Sequence, residues 1–154
     1  MRGLITDLAL SDELAAWAAA RIPHVGDAGF GPCWAVGVPV RGKLAAVVVF
    51  HDYQPGAGTV QLSMAADDAR WIGREVVGRI LGLAFAKPWA SGAIRKVWVA
   101  IPSTAERVVA LNVALGLKTE AKLRHHYAPK VHAVICSIMA TEWLARYGKG
   151  NGHG

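Results

Sequence analysis

The chain reads as a mixed α/β protein, and three observations carry that reading. Stretches with two-residue alternation or dense β-branching recur in both halves, as strands require. Two long segments between and after them place apolar residues at three- and four-residue spacing, the period of a helix face. Taken in sequence, the order is strand, helix, hairpin, strand, helix, strand, helix and two strands. A strand-helix-strand-helix-strand run joined to an antiparallel hairpin makes a mixed sheet, and ligands favour the carboxyl edges of such strands.

Each element has a local cause. Leu4 to Asp7 is short enough for an edge strand. Ser11 then offers an N-cap hydroxyl to a helix from about Asp12 to Arg21, whose first turn carries Asp12 and Glu13. Pro23 and Gly26 stop it, and residues 27–32 form a loop. Trp34, Val36 and Val38 alternate with Ala35, Gly37 and Pro39, and Arg41-Gly42 reverses the chain into Leu44 to Phe50. That second arm is apolar on both faces, as expected in the middle of a sheet. Residues 51–58 are expected as a loop, and Thr59 to Ala65 as a strand. From Ile72 onward Val76, Val77, Ile80, Leu81, Ala84 and Phe85 mark one face of the longest helix, which Pro88 and the loop to Gly92 end. Lys96 to Ile101 is a β-branched strand. Ser103 or Thr104 caps a helix expected to bury Val108, Leu111 and Leu115, with Gly116 as its left-handed stop. Strands near Leu117 to Tyr127 and Val131 to Ala140 complete the sheet.

The 154 residues suit one domain over residues 1–147, with 148–154 expected as a flexible tail. Hydrophobic content of 53% is high, yet no apolar run reaches the roughly 20 residues of a membrane helix. No membrane partner is expected. The first residues lack the pattern of a secretory signal, so a cytoplasmic location is expected. Cys33 and Cys136 lie far apart in apolar strands, where buried thiols are expected rather than a disulfide. The adjacent His125 and His126 do not make a metal-binding spacing, and no metal is expected. A formal charge of +6 suits phosphate-bearing cofactors, acidic partners or nucleic acid alike. No helix-turn-helix, zinc finger or aromatic RNA-binding motif accompanies it, so nucleic acid is the least expected of these.

The turn Arg70-Trp71-Ile72-Gly73-Arg74-Glu75 joins a strand to the longest helix. Such a turn aims unpaired backbone N–H groups and the positive end of a helix dipole at one spot, which suits a pyrophosphate. Arg70 and Arg74 are cations at a helix start, a placement that an anion there would explain.

Three runs together resemble the GCN5-related N-acetyltransferase (GNAT) family, and within it the Rim-type enzymes, over about Leu44 to Trp143. Arg70 and Gly73 match the family's Q/R-x-x-G-x-G/A pyrophosphate loop. Residues 106–111 with Leu115-Gly116-Leu117 are similar to its N-x-R-A-x-x-L … L-G-F helix, where Arg107 takes the arginine position. Residues 116–124 resemble the Rim-type G-F-x-x-E-G-x-L-R run, with Glu142-Trp143 similar to its closing pair. The resemblance implies a mixed, mostly antiparallel central sheet of about six to seven strands with helices on both faces. It also implies acetyl-CoA as co-substrate and transfer of its acetyl group to a primary amine, on a small molecule or a protein, by direct attack. Cofactor contacts fall on Met64, Ala65 and Ala66, whose backbone would pair with the pantetheine arm, and on Arg70, Trp71, Ile72, Gly73, Arg74, Glu75, Arg107 and Asn112.

The chain departs from the pattern in four places. Glu75 replaces a small residue of the phosphate loop, Ala105 stands where an asparagine often is, Asn112 stands where many members place a tyrosine acid, and Gln61 replaces a basic glutamate. His51, Asp52, Tyr53 and Tyr127 are the residues that offer acid/base chemistry, with His51 the candidate base and Tyr127 the candidate acid. Two alternatives stay open: a member that binds CoA or a protein partner without turnover, and a basic nucleic-acid-binding module. Pairing through the last strands makes a homodimer an expectation as well.

Overall fold

The computed structural model describes residues 3–86, 89 and 92–148. It is a mixed α+β fold whose six strands form a mostly antiparallel sheet, as expected. Two compact units divide it, Met1–Tyr53 with Gln61–Val76 and Gln54–Val60 with Val77–Gly154.

The first unit holds α1 (Ser11–Ala19), β1 (Cys33–Val40), β2 (Lys43–Gln54) up to Tyr53, and β3 (Thr59–Ala66) from Gln61. β1 and β2 pair antiparallel from Cys33 opposite His51 to Val40 opposite Lys43. Arg41 and Gly42 both take positive φ, 52° and 78°, which gives the two-residue turn a twist matching the strands it joins. Residues 45–51 of β2 are all buried, as its two apolar faces predict. On one face Val47, Val49, Ala35 and Ala65 meet Leu14 and Ala18 of α1. The expected first strand contracts to a single bridge, Ile5 to Gly37, with backbone bonds of 2.8 and 2.9 Å. Ser11 does not cap α1. A 3₁₀ turn, Leu8–Leu10, precedes the helix and is capped by Asp7, while Ser11 Oγ accepts the β1 amide of Ala35 at 2.9 Å. A buried hydroxyl that satisfies a sheet N–H is worth more there than at a helix end already continued by another turn.

The second unit holds β4 (Lys96–Pro102), α3 (Glu106–Ala114), β5 (Lys118–Ala128), β6 (Val131–Met139) and α4 (Ala140–Trp143), with most of α2 (Arg74–Phe85). β6 lies between β4 and β5, antiparallel to both. Val97, Val99 and Ile101 of β4 and Ala133, Ile135 and Cys136 of β6 are buried. Both cysteines are free thiols. Gly116, at φ 107°, ends α3 as expected.

Two expectations fail here. Neither Ser103 nor Thr104 caps α3: its N-cap is Ala105, and Ser103 Oγ accepts the β6 amide of His132 at 2.9 Å. Nor does α3 bury Val108 and Leu111, which are 41% and 36% exposed, but Asn112. Nearly every residue from Val108 to Leu115 is apolar, so periodicity could not select a face. Asn112 tolerates burial because its Nδ2 donates to Val108 O at 2.8 Å. Beyond α4 the chain continues into a π-helical turn, Leu144–Gly148, which periodicity did not foresee. Trp143 Nε1 donates to Gly78 O at 3.0 Å, Arg146 to Ala114 O at 2.6 Å, and the Tyr147 hydroxyl to Leu115 O. The last turn thus satisfies carbonyls at the C-terminus of α3 that its own helix cannot. Gly148 closes this turn, while Pro88 and residues 149–154 lie outside the described residues.

Candidate active site

The turn singled out from sequence is a built feature of the first unit. Asp67 and Asp68 both direct their amides to Ala45 O, at 2.8 and 3.4 Å, as β3 ends. Asp67 takes Arg21 in a two-point pair of 2.9 and 3.0 Å, and Arg21 lies 3.5 Å from the Trp17 ring centroid. Asp68 caps the following 3₁₀ turn, Ala69–Trp71, by accepting the Arg70 amide at 2.9 Å. The same carboxylate binds the Arg70 guanidinium, Nε at 2.9 Å and Nη2 at 2.7 Å. That pairing holds the Asp68 carboxyl down to about 2. Arg70 therefore braces the turn from within, a role that its position in the motif did not reveal.

After Trp71, which is buried, Ile72 is extended and Arg74 begins α2. The turn and the end of β1, Val38 to Val40, line a recess of about 400 Å³. Gly73 sits at its rim, and a Cβ placed there would meet no atom within 4 Å. Neither its neighbours nor a positive φ explains a glycine at this position. Space kept open at the start of a helix is what a phosphate needs to reach the first N–H groups. Glu75 is exposed in that first turn, where its carboxylate complements the dipole but would oppose an anion close by. Of the β3 residues, Ala65 faces the α1 core, Met64 is half-buried and Ala66 is exposed.

The second feature of this unit is centred on His51. Sequence placed it at the start of a loop, but β2 continues to Gln54 and buries the imidazole among strands. Its Nε2 lies 2.7 Å from Ser63 Oγ on β3, and its Nδ1 lies 2.7 Å from Asp52 Oδ2. The Phe30 ring covers it at 5.1 Å between centroids. Burial pushes its pKa below the ordinary value, with Asp52 acting in the opposite direction. At neutral pH the ring is therefore uncharged and able to accept a proton. Ser63 was missed from sequence, because a serine inside an apolar strand carries no signal until the partner strand shows what it faces.

The remaining expected residues belong to the second unit. Arg107 is exposed in the first turn of α3, and Asn112 spends its amide on its own helix. Tyr127 on β5 is half-buried, edge-on to His126 at 5.0 Å, and burial raises its pKa. Its phenol is thus protonated at neutral pH, as an acid must be. No helix of the described residues is long and apolar enough to cross a membrane.

No family model matches the chain, and no curated protein matches it. Solved structures do. Mutant forms of the spermidine/spermine N-acetyltransferase SpeG from Vibrio cholerae align with a TM-score of 0.65 at 13% identity, covering 80% of this chain and 75% of theirs. The spermidine N-acetyltransferase of that organism in complex with CoA and spermine aligns at 0.61 and 12%, over 74% of this chain and 69% of its own. A dodecameric structure of that enzyme aligns at 0.62 and 13%, over 75% and 70%. The chain has the fold of these N-acetyltransferases.

Proposed function

We propose that this chain is an acetyl-CoA-dependent N-acetyltransferase acting on a primary amine. The observation that carries the reading is the open glycine at the head of α2, beside a 400 Å³ recess, on the fold that solved N-acetyltransferases share. The amides of residues 72–75 and the dipole of α2 hold the pyrophosphate, and Arg74 adds charge. Arg70 keeps the turn in shape through Asp68. The backbone of Met64 to Ala66 receives the pantetheine arm as an added strand would be received. Acetyl-CoA supplies the acetyl group as an activated thioester. His51, neutral and buried, accepts the proton of the attacking amine, and the fold's main contribution is to position amine and carbonyl. The run at 116–124 and the Glu142-Trp143 pair favour the Rim-type branch. The net charge of +6 disfavours a polycationic acceptor such as the spermine bound by the Vibrio enzyme, so a neutral or acidic amine is preferred.

The test is release of free thiol from acetyl-CoA across a panel of amines. Amine-dependent release, reduced at least about tenfold in His51→Gln, supports the reading. Binding of acetyl-CoA with no release from any amine supports instead a binding protein without turnover, which Glu75 and the internally bonded Asn112 favour.

A further inference from the structure

We propose that Ser63, His51 and Asp52 form a covalent acyl-transfer centre, in which Ser63 Oγ takes an acyl group from an activated ester or thioester. The arrangement is nucleophile, base and orienting carboxylate, joined by two contacts of 2.7 Å. That is the geometry by which a serine hydroxyl, inert on its own, is activated.

The backbone supplies an independent argument. Neighbouring residues on a regular strand point to opposite faces, so the side chains of 51 and 52 should not meet. Here Asp52 adopts φ 51°, a left-handed conformation that an aspartate takes at a cost, and its carboxylate reaches Nδ1 of the preceding imidazole. Residues held in such sparsely populated backbone conformations cluster at functional sites. A merely buried histidine needs no such conformation beside it, since Ser63 and any backbone carbonyl would satisfy its ring. The His51 side chain is 8% exposed, Asp52 is 60% exposed, and Ser63 is half-buried.

In the first step the Ser63 oxygen bonds to the acyl carbon while its proton passes to His51 Nε2. The bond from that carbon to the leaving sulfur or oxygen breaks, and the leaving group departs with the proton. Water then attacks the serine ester, with His51 again accepting a proton, and the carboxylic acid and free Ser63 are released. Asp52 holds the Nδ1 proton and steadies the cationic ring between transfers.

This activity goes beyond N-acetylation and does not require the recess at residues 70–76. The probes are a fluorophosphonate, which labels activated serines, and p-nitrophenyl acetate, applied to wild type, Ser63→Ala and Asp52→Asn. Circular dichroism confirms that each variant is folded. We expect the phosphonate and the acetyl group on the peptide containing Ser63, no such label in Ser63→Ala, and labelling slowed at least about tenfold in Asp52→Asn. Unlabelled Ser63, acetyl found only on lysines, or equal labelling of wild type and Asp52→Asn overturns the proposal. Labelling of Ser63 in a protein that fails to bind acetyl-CoA sinks the N-acetyltransferase reading and supports this one.

Discussion

Gly78→Ala sets two effects of known size against each other. In a helix interior the change ordinarily stabilises by about 1 kcal/mol, because glycine carries the larger entropy cost. At position 78 the new methyl would lie 2.7 Å from Cδ1 and 3.2 Å from Cγ of Tyr147. Carbon atoms pack best at about 3.5–4.0 Å, so one of the two must move. The Tyr147 ring is 4% exposed, and its hydroxyl is tied to Leu115 O, so it cannot slide away without losing that bond. Overpacking of this kind costs about 1–3 kcal/mol, and displacement of the adjacent Trp143 bond to Gly78 O adds about 1 kcal/mol. The clash wins, with a net loss of about 1–3 kcal/mol. For a chain of this length that lowers Tm by about 2–12 °C and shifts the urea midpoint downward. Gly82→Ala provides the graded control: its nearest contact is 3.2 Å to Trp143 Cζ2, and its effect should be near zero. A rise in Tm for Gly78→Ala would refute the packing of the last turn against α2.

The pKa of His51 is lowered by burial, so between the folded value and about 6.5 the native state binds fewer protons than the unfolded chain. Its contribution to stability is full above about 6.5 and is lost as pH falls through the folded value, and the acid limb of activity lies below 6.5. Asp52 raises this pKa, so Asp52→Asn moves that limb to lower pH, and a pH–rate profile showing the opposite shift contradicts the assigned contact. Ser103→Ala removes the acceptor of the His132 amide and should cost about 1 kcal/mol by urea denaturation, a loss that does not come from helix capping, since the N-cap of α3 is Ala105.

The strands were legible in the sequence because alternation and β-branching report burial directly. Thr59–Ala66 and Val131–Met139 fall within a residue of their expected bounds. Helix faces were legible only where polar residues break the pattern. Arg74 and Arg79 outline the buried side of α2, whereas α3, apolar all round, gave no such contrast. Hydroxyl roles were misread twice for one reason. Ser11 and Ser103 both sit beside a helix start, and both serve a strand amide that only the tertiary fold brings near. The 70–75 turn was visible as a motif, but the Asp68–Arg70 brace was not, since it depends on side-chain direction. His51 and Asp52 were named only as separate acid/base candidates, and Ser63 not at all. The conformation of Asp52 that assembles them is one that no propensity predicts for an aspartate inside a strand.

Isothermal titration of the intact chain with acetyl-CoA, beside Arg74→Glu, decides whether the head of α2 holds the cofactor. The wild type is expected to bind with micromolar affinity, and the reversed charge at the head of α2 to weaken binding at least about tenfold. Absence of binding at millimolar acetyl-CoA, or equal affinity in the two proteins, would contradict that placement.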